Sequence, residues 1–447
     1  MVETIRQLIL GKKIVILGFG REGKSTYRLL ERAGGYKELA IADLNPVEES
    51  LGENIRCISG KGYQDCLNDY DIVWKSPGVV LQKTLEEYSC RILSQTEVFF
   101  SHYRNQIIGI TGTKGKSTTT TLLYQILKSA GKDAILAGNI GIPAFDMIDS
   151  IEENTIIVFE MSSHQLEYMT VAPHIGALLN IYEEHLDHYG TMEKYVAAKE
   201  RIYRNMMEGD ILFCNKENLP VSGTCKAEVI SFPVKDGLNL IMKEDGKPYI
   251  SYKENLFSIP AEEIQLVGTH NYLDILVAYG IAGLLGIADE QFRKGLIAYQ
   301  PLPHRLQRVG TYGEITFYDD SISTICDTTM EALRSIKDAD TVLIGGMDRG
   351  IHYGELIEFL SKDPVAHIVL MEATGKRIYE EIHREYKNFH NPERLYLVKD
   401  LKEAVELSKK ITKKGTSCIL SPAAASYGIF KNFEERGNIF QEYVKNP

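Results

Sequence analysis

The sequence predicts an α/β protein of three domains. These are a Rossmann-like N-terminal domain, a central P-loop ATPase-type domain with a parallel sheet plus a small antiparallel sheet, and a Rossmann-like C-terminal domain. Three observations carry this. Short β-branched runs alternate with amphipathic stretches along most of the chain, the βαβ rhythm of parallel sheets. Two glycine-bearing strand–loop–helix elements, at 18–23 and 109–117, stand far apart. The chain has 447 residues, too many for one ordinary core when a domain takes roughly 100–200.

The elements follow in order. KKIVILG (12–18) reads as a strand, REGKSTYRLLERAG (21–34) as a helix, LAIAD (39–43) as a strand, and DIVWKSPG (71–78) as a strand entering a loop. A second unit begins near Gln95. IIGIT (107–111) is a strand and STTTTLLYQILKSAG (117–131) a helix closed by Gly131, a residue suited to a helix C-terminus. TIIVFEM (155–161) and IGALLNI (175–181) are strands, and 192–207 is a long helix. From 217 to 259 the pattern is short, β-rich and broken by glycine and proline, as expected of a small antiparallel sheet. GTHNYLDILVAYGIAGLLG (268–286) returns to helix. After PLPHR a third series begins, with strands EITFYDD, ADTVLIGG, HIVLME, RLYLV and TSCILSP. The expected domains are 1–95, 96–300 and 301–447.

Composition excludes several classes. Hydrophobic residues at 44% and charged residues at 25% are globular values, unlike a disordered chain. A formal charge of −11 argues against a nucleic-acid partner, whose footprint is a basic face. The N-terminus lacks the marks of a signal peptide, and no run approaches the roughly 20 apolar residues of a membrane span. The seven cysteines are scattered and never spaced C-x-x-C, which reads as free thiols in a reducing cytoplasm.

The strongest chemical signal is GITGTKGKSTTTTLL (109–123). A strand, a loop ending in Gly115-Lys116-Ser117 and a helix make a phosphate cradle. Backbone amides and the helix N-terminus face the anion, Lys116 adds a point charge, and the Ser117 hydroxyl is the expected Mg²⁺ ligand. A strict Walker pattern needs glycine at 110; this chain has Ile110, bracketed by Gly109 and Gly112. Next, EMSSHQLE (160–167) places Glu160 at a strand end, where a carboxylate can hold magnesium; alone, it reads more readily as a solvated loop acid. NIYEEHLDHYGTMEKYVAAKERIY (180–203) contributes His185 and Lys199, singly more often structural than functional. GFGREG (Gly18, Gly20, Gly23) after a strand, with Asp43 downstream, fits the dinucleotide fingerprint. By itself it favours a nicotinamide dehydrogenase; the second nucleotide loop shifts that weight.

Together these motifs, with L-P-H-R (302–305), D-D-S (319–321) and SPAAASYGIFKNFEERG (421–437), resemble the Mur ligase family of bacterial peptidoglycan synthesis along the whole chain. The resemblance implies a cytoplasmic, monomeric, ATP-dependent enzyme joining glutamate to UDP-N-acetylmuramoyl-L-alanine through an acyl phosphate. It implies that Gly112, Thr113, Lys114, Gly115, Lys116, Ser117 and Thr118 bind ATP with Asn271, Arg305 and Asp320. It further implies two Mg²⁺ ions held by Ser117, Glu160, His185 and Lys199, the last if carbamylated, since ammonium cannot bind a cation and carbamate can. Catalysis falls to Lys116, Glu160, His185 and Lys199. The UDP-sugar would meet Gly18, Gly20, Asp43, the Ser76-Pro77-Gly78 turn and Asn139. Glutamate would meet Thr324, Arg349, Ser426 and Phe433, with a helix beginning after LSPAAAS offering amides to its carboxylates. Trp74 reads as packing.

Two positions depart from the family pattern. Ile322 in D-S-I-S-T (320–324) stands where many members carry lysine, and Arg349 in GGMDRG (345–350) where some carry lysine; arginine clamps carboxylates in a way lysine does not. D-Glutamate is the expected substrate, with L-glutamate followed by separate epimerisation as the alternative. A folate polyglutamylating synthetase and a non-catalytic nucleotide-binding module are the remoter readings; GFGREG counts against the former.

Overall fold

The computed structural model describes residues 1–446 apart from 48–50, 53, 54, 141, 245, 267–270, 363, 387, 388, 390 and 391, and describes only the backbone at 187, 327 and 392. Gly141 of GNIG and 268–270 of the GTHNYLD stretch therefore lie outside the described residues. The chain divides into two compact units, 1–262 with 272–299, and 263–271 with 300–447.

The first unit holds two parallel sheets. One is built from β1 (Lys13–Leu17), β2 (Glu38–Asp43), β3 (Arg56–Ser59), β4 (Ile72–Lys75) and β5 (Arg91–Leu93) in the order β3-β2-β1-β4-β5. The order reverses between β1 and β4, so the loops after these strands flank a crevice of the kind in which α/β sheets bind ligands. The central strands are buried on both faces, which is why KIVIL and IVWK are continuous apolar runs capped by one lysine each.

The second sheet contains β6 (Ile107–Thr111), β7 (Ala134–Gly138), β8 (Ile156–Glu160), β9 (Ile175–Leu178), β10 (Ile211–Asn215) and β11 (Glu228–Phe232), ordered β11-β10-β9-β6-β8-β7. Here β6, which feeds the 112–117 loop, lies between β8 and β9. The expected antiparallel sheet forms from β12 (Asn239–Met242), β13 (Pro248–Tyr252) and β14 (Asn255–Ser258). It is smaller than the sequence suggested, because residues 228–232 pair parallel to β10 and extend the main sheet. The expected 192–207 helix ends at Arg204.

One apolar cluster runs through both sheets, from Ile5 and Ile9 to Leu212 and Cys214. Trp74 sits in it, 2% exposed, with its ring edge-on to Phe145 at 5.7 Å. Polar ties reinforce the contact between the sheets. Ser25 and Arg28 on the helix Arg21–Ala33 both donate to Asp146, at 2.8 Å.

The second unit carries β15 (Gln307–Tyr312), β16 (Ile315–Asp319), β17 (Ala339–Gly345), β18 (His367–Met371), β19 (Leu395–Val398) and β20 (Ser417–Leu420), ordered β15-β16-β20-β17-β18-β19. Only β15 runs antiparallel, as an edge strand. None of the seven cysteines forms a disulfide, and among the described residues no helix is long and apolar enough to cross a membrane.

Candidate active site

The crevice of the first sheet is built by glycines with distinct tasks. Gly18 ends β1 at φ 88°, and a Cβ there would stand 2.7 Å from Val79. A Cβ on Gly23 would stand 2.2 Å from the Gly18 carbonyl oxygen, so only glycine lets the following helix approach the strand so closely. Gly20 is the N-cap of that helix and supplies no side-chain cap, leaving the first-turn amides to other partners. Asp43 accepts from the Phe19 N–H at 2.7 Å and the Asn45 N–H at 2.8 Å. Across the crevice the Ser76 hydroxyl donates to the Gly18 carbonyl at 2.7 Å, and the space a Cβ would fill at Gly78 is open.

The phosphate loop leaves β6 and enters the helix Lys116–Ser129. Gly115, its N-cap, adopts φ 83°, and a Cβ there would lie 2.3 Å from the Asp274 carboxylate. The loop is clamped by Asn180, whose side-chain oxygen accepts from the N–H groups of Thr113 (3.1 Å) and Lys114 (2.8 Å) and whose amide donates to the Lys114 carbonyl (3.1 Å). The Lys116 ammonium folds back onto the Thr113 carbonyl at 2.7 Å. Ser117 and Thr118 are buried in the first helical turn. Asn271, also buried, opens the helix Asn271–Leu284, on which Asp274 accepts from the Thr119 hydroxyl at 3.0 Å.

Three of the predicted metal ligands, Ser117, Glu160 and Lys199, lie in or beside this loop and its strand. Glu160 is 1% exposed at the end of β8, in register with Ile110. Asn139 donates to its Oε1 at 2.7 Å, while Oε2 is buried without a partner among the described residues. An orphaned buried carboxylate oxygen fits a cation site. Lys199, 1% exposed, donates to the Gly112 carbonyl at 2.7 Å and lies over the Tyr195 ring at 4.8 Å. Burial, and after it the charge of Lys116, hold its ammonium well below the usual lysine range, against the pull of Glu184. His185 adopts φ 57° as the N-cap of a short helix, 3.6 Å from Glu184 and beside the ring of His164. Among the described residues no group of three or more His, Cys, Asp or Glu side chains is arranged to hold a metal.

Sequence reasoning missed three residues here: Asn180, Asp274 and Tyr195, whose hydroxyl meets that of Thr113 at 3.0 Å. Tyr195 was within reach, since it lies one turn before Lys199 on the same helix face.

In the second unit the loops after β16, β17 and β20 converge. Arg349 donates from Nη2 to the Thr324 carbonyl at 2.8 Å. The Met347 N–H donates to the Ala425 carbonyl at 2.8 Å, setting the loop after β17 against buried Ser426. Ser321 donates to the Phe433 carbonyl at 2.8 Å. Four predicted glutamate contacts thus follow the carboxyl ends of the adjacent strands β16, β20 and β17. Ile322, half-buried, donates its N–H to the His304 carbonyl at 3.1 Å.

Asp320 faces inward, accepting from the Leu306 N–H at 3.0 Å and the Ser421 hydroxyl at 2.8 Å. Burial pushes its carboxyl up to about 6, opposed by hydrogen bonds from Ser323, Ser421 and Leu306 and by the charge of half-buried Arg305. One expectation is corrected. No helix begins after LSPAAAS; the helix starts at Phe433, capped by Asn432, and Ala423 is left-handed at φ 51°. Ser426 therefore sits in a turn, without helix amides behind it.

Residues 110–282 match the Mur ligase middle domain. Over its length the chain is 31% identical to a UDP-N-acetylmuramoylalanine--D-glutamate ligase of Lachnoclostridium phytofermentans, covering 97% of this chain and 98% of that protein. It is 33% identical to the enzyme of the same name from Clostridioides difficile, covering 98% and 99%. Among solved structures it resembles the UDP-N-acetylmuramate-alanine ligase of Thermotoga maritima (TM-score 0.59, 20% identity, covering 96% and 98%). MurF of Acinetobacter baumannii is similar in fold (TM-score 0.61, 16% identity, covering 98% and 92%).

Proposed function

This chain belongs to the Mur ligase family, and from that premise we propose that it joins D-glutamate to UDP-N-acetylmuramoyl-L-alanine with ATP. The alanine carboxylate takes the γ-phosphoryl group and ADP leaves; the neutral amine of glutamate then attacks the acyl carbon and phosphate departs. One observation carries the chemistry: the buried Glu160, held by Asn139 with one oxygen open, at the strand end beside the one feeding the phosphate loop. The full-length identity to ligases of that name supports the choice of substrates.

The first step must bring two anions together, so the residues work chiefly on charge. Lys116 is poised to leave the Thr113 carbonyl for the β- and γ-phosphates, and the amides of Gly112 to Thr118 wrap them. Ser117, Glu160, His185 and a carbamylated Lys199 are read as holding two magnesium ions, whose charge offsets that of the triphosphate. The low proton affinity of Lys199 supports carbamylation, because the neutral amine is the form that reacts with carbon dioxide.

Asn271, Arg305 and Asp320 are read as the remaining ATP residues. Asp320, committed to its own loops, acts by holding them. Gly18, Gly20, Asp43, Ser76, Gly78 and Asn139 receive the UDP-sugar, with Asn139 also steering Glu160. Thr324, Arg349, Ser426 and Phe433 receive glutamate. On this reading 1–95, 96–300 and 301–447 are the functional segments of a cytoplasmic monomer.

The test is phosphate release by the purified protein with ATP, Mg²⁺ and UDP-N-acetylmuramoyl-L-alanine, adding D- or L-glutamate separately. Release with D-glutamate is expected. Release with L-glutamate alone overturns the stereochemistry, and release with neither overturns the function.

A further inference from the structure

Beneath the Ser76-Pro77-Gly78 turn lies a buried ammonium that the reaction as described does not use. Lys75, the last residue of β4, is 4% exposed, and its Nζ lies 3.3 Å from the carbonyl oxygens of both Ser76 and Pro77. Two carboxylates face it from different elements, Glu167 just past the helix Ser163–Leu166 and Glu22 on the helix that follows β1. The ring of Tyr168 covers it at 5.1 Å. The carboxylates are themselves tied: Glu167 to His188 at 3.0 Å, and Glu22 to the Gln165 amide at 2.7 Å.

An anion site tolerates amides and cations but not carbonyl oxygens. A turn whose carbonyls point at a diphosphate would repel it, and something must hold them away. We propose that Lys75 is a positioning residue for the diphosphate of the UDP-sugar. Its ammonium, in the field of Glu167 and Glu22, holds the Pro77 carbonyl inward and shares the Ser76 carbonyl with the Val79 N–H, which donates to it at 3.2 Å. This rests on the reading that the 76–78 turn receives that diphosphate. Glu22, in the first turn of its helix, is held by the Gln165 amide and adds its charge to the field around the lysine. Burial lowers the lysine to about 8, against the pull of Glu167 and Glu22, and raises Glu22 to about 7. The positioning charge is therefore present at neutral pH and is lost as pH climbs past about 8.

The experiment measures UDP and UMP binding by the full chain, because their affinity ratio isolates the second phosphate from general damage. In Lys75→Met the ratio should fall about tenfold, with UMP affinity and the KM for ATP unchanged. In the wild type the ratio should decline above pH 8, and Lys75→Arg, charged throughout, should remove that decline. An unchanged ratio in Lys75→Met overturns the proposal alone, as does a wild-type ratio flat between pH 7 and 9.5. If the wild type binds neither nucleotide, the reading of the turn fails and the proposal falls with it.

Discussion

The side-chain amide of Asn139 donates to one oxygen of Glu160 at 2.7 Å and leaves the other buried with no partner among the described residues. A carboxylate oxygen stripped of water without a hydrogen bond costs more than the roughly 1–3 kcal/mol of a neutral orphan. Such an atom calls for an explanation, and a bound cation is one. Asn139 also fixes the backbone, its N–H donating to the Glu160 carbonyl at 2.9 Å. On the proposed reading of Glu160 as a magnesium ligand, Asn139 is the outer partner that aims it, and loss of such partners typically weakens metal affinity about 10- to 100-fold. Asn139→Ala is expected to raise the Mg²⁺ concentration for half-maximal phosphate release by about tenfold or more, beyond any change in the KM for ATP. An unchanged Mg²⁺ requirement would remove Asn139 from this role.

Lys199 allows stability and activity to be set against each other. In protein freed of bicarbonate, where Lys199 is a plain amine, its proton affinity is lowered chiefly by burial, so between its folded pKa and about 10.5 the unfolded chain carries a proton that the folded chain lacks. The unfolded state then binds more protons, and stability rises with pH through that window. Lys199→Met should abolish activity and flatten this slope, measured by urea unfolding at pH 7 and 9.5. Lys199→Ala should be inactive and partly restored by acetate or excess bicarbonate. Full activity of Lys199→Ala would reject the carbamate role.

How much of this was legible in the sequence depends on how local the cause is. The phosphate loop was readable because glycine, lysine and serine act within a few residues of one another. Its clamp was not: Asn180 and Asp274 reach Gly115 and its neighbours from other elements, and nothing near 115 names them. The antiparallel sheet was read too large because β-rich composition does not reveal which neighbour a strand chooses, and 228–232 chose β10. The helix expected after LSPAAAS gives way to a turn, because Ala423 is left-handed and Ala425 bridges to Met347 on another loop, a contact that nothing near 426 announces. Ile322 read as the loss of a cation, yet the Arg349 guanidinium bonds to Thr324 two residues away, so a positive charge stands at this segment after all.

The last prediction concerns Arg436, fully buried and the hub of the second unit's loops. Its Nε donates to the Ser321 hydroxyl at 3.0 Å, its Nη2 to the Ser321 carbonyl at 2.8 Å, and its Nη1 to the Ala424 carbonyl at 3.0 Å. One side chain therefore pins both the loop after β16, which leads to Thr324, and the loop after β20, which leads to Ser426. Burial lowers the guanidinium to about 10, with Glu372 and then Asp319 opposing, so it stays charged at neutral pH. Lysine keeps the charge but not the planar fork. Arg436→Lys should lose at least one charge-assisted hydrogen bond, about 1.5–3 kcal/mol of stability, seen as a lower urea midpoint. If the pinned loops receive glutamate, its KM should rise about tenfold or more while the KM for UDP-N-acetylmuramoyl-L-alanine holds, because the residues read as receiving that substrate belong to the first unit. A destabilised variant with an unaltered glutamate KM would show that Arg436 supports the fold alone, and that these loops tolerate movement without loss of the amino acid.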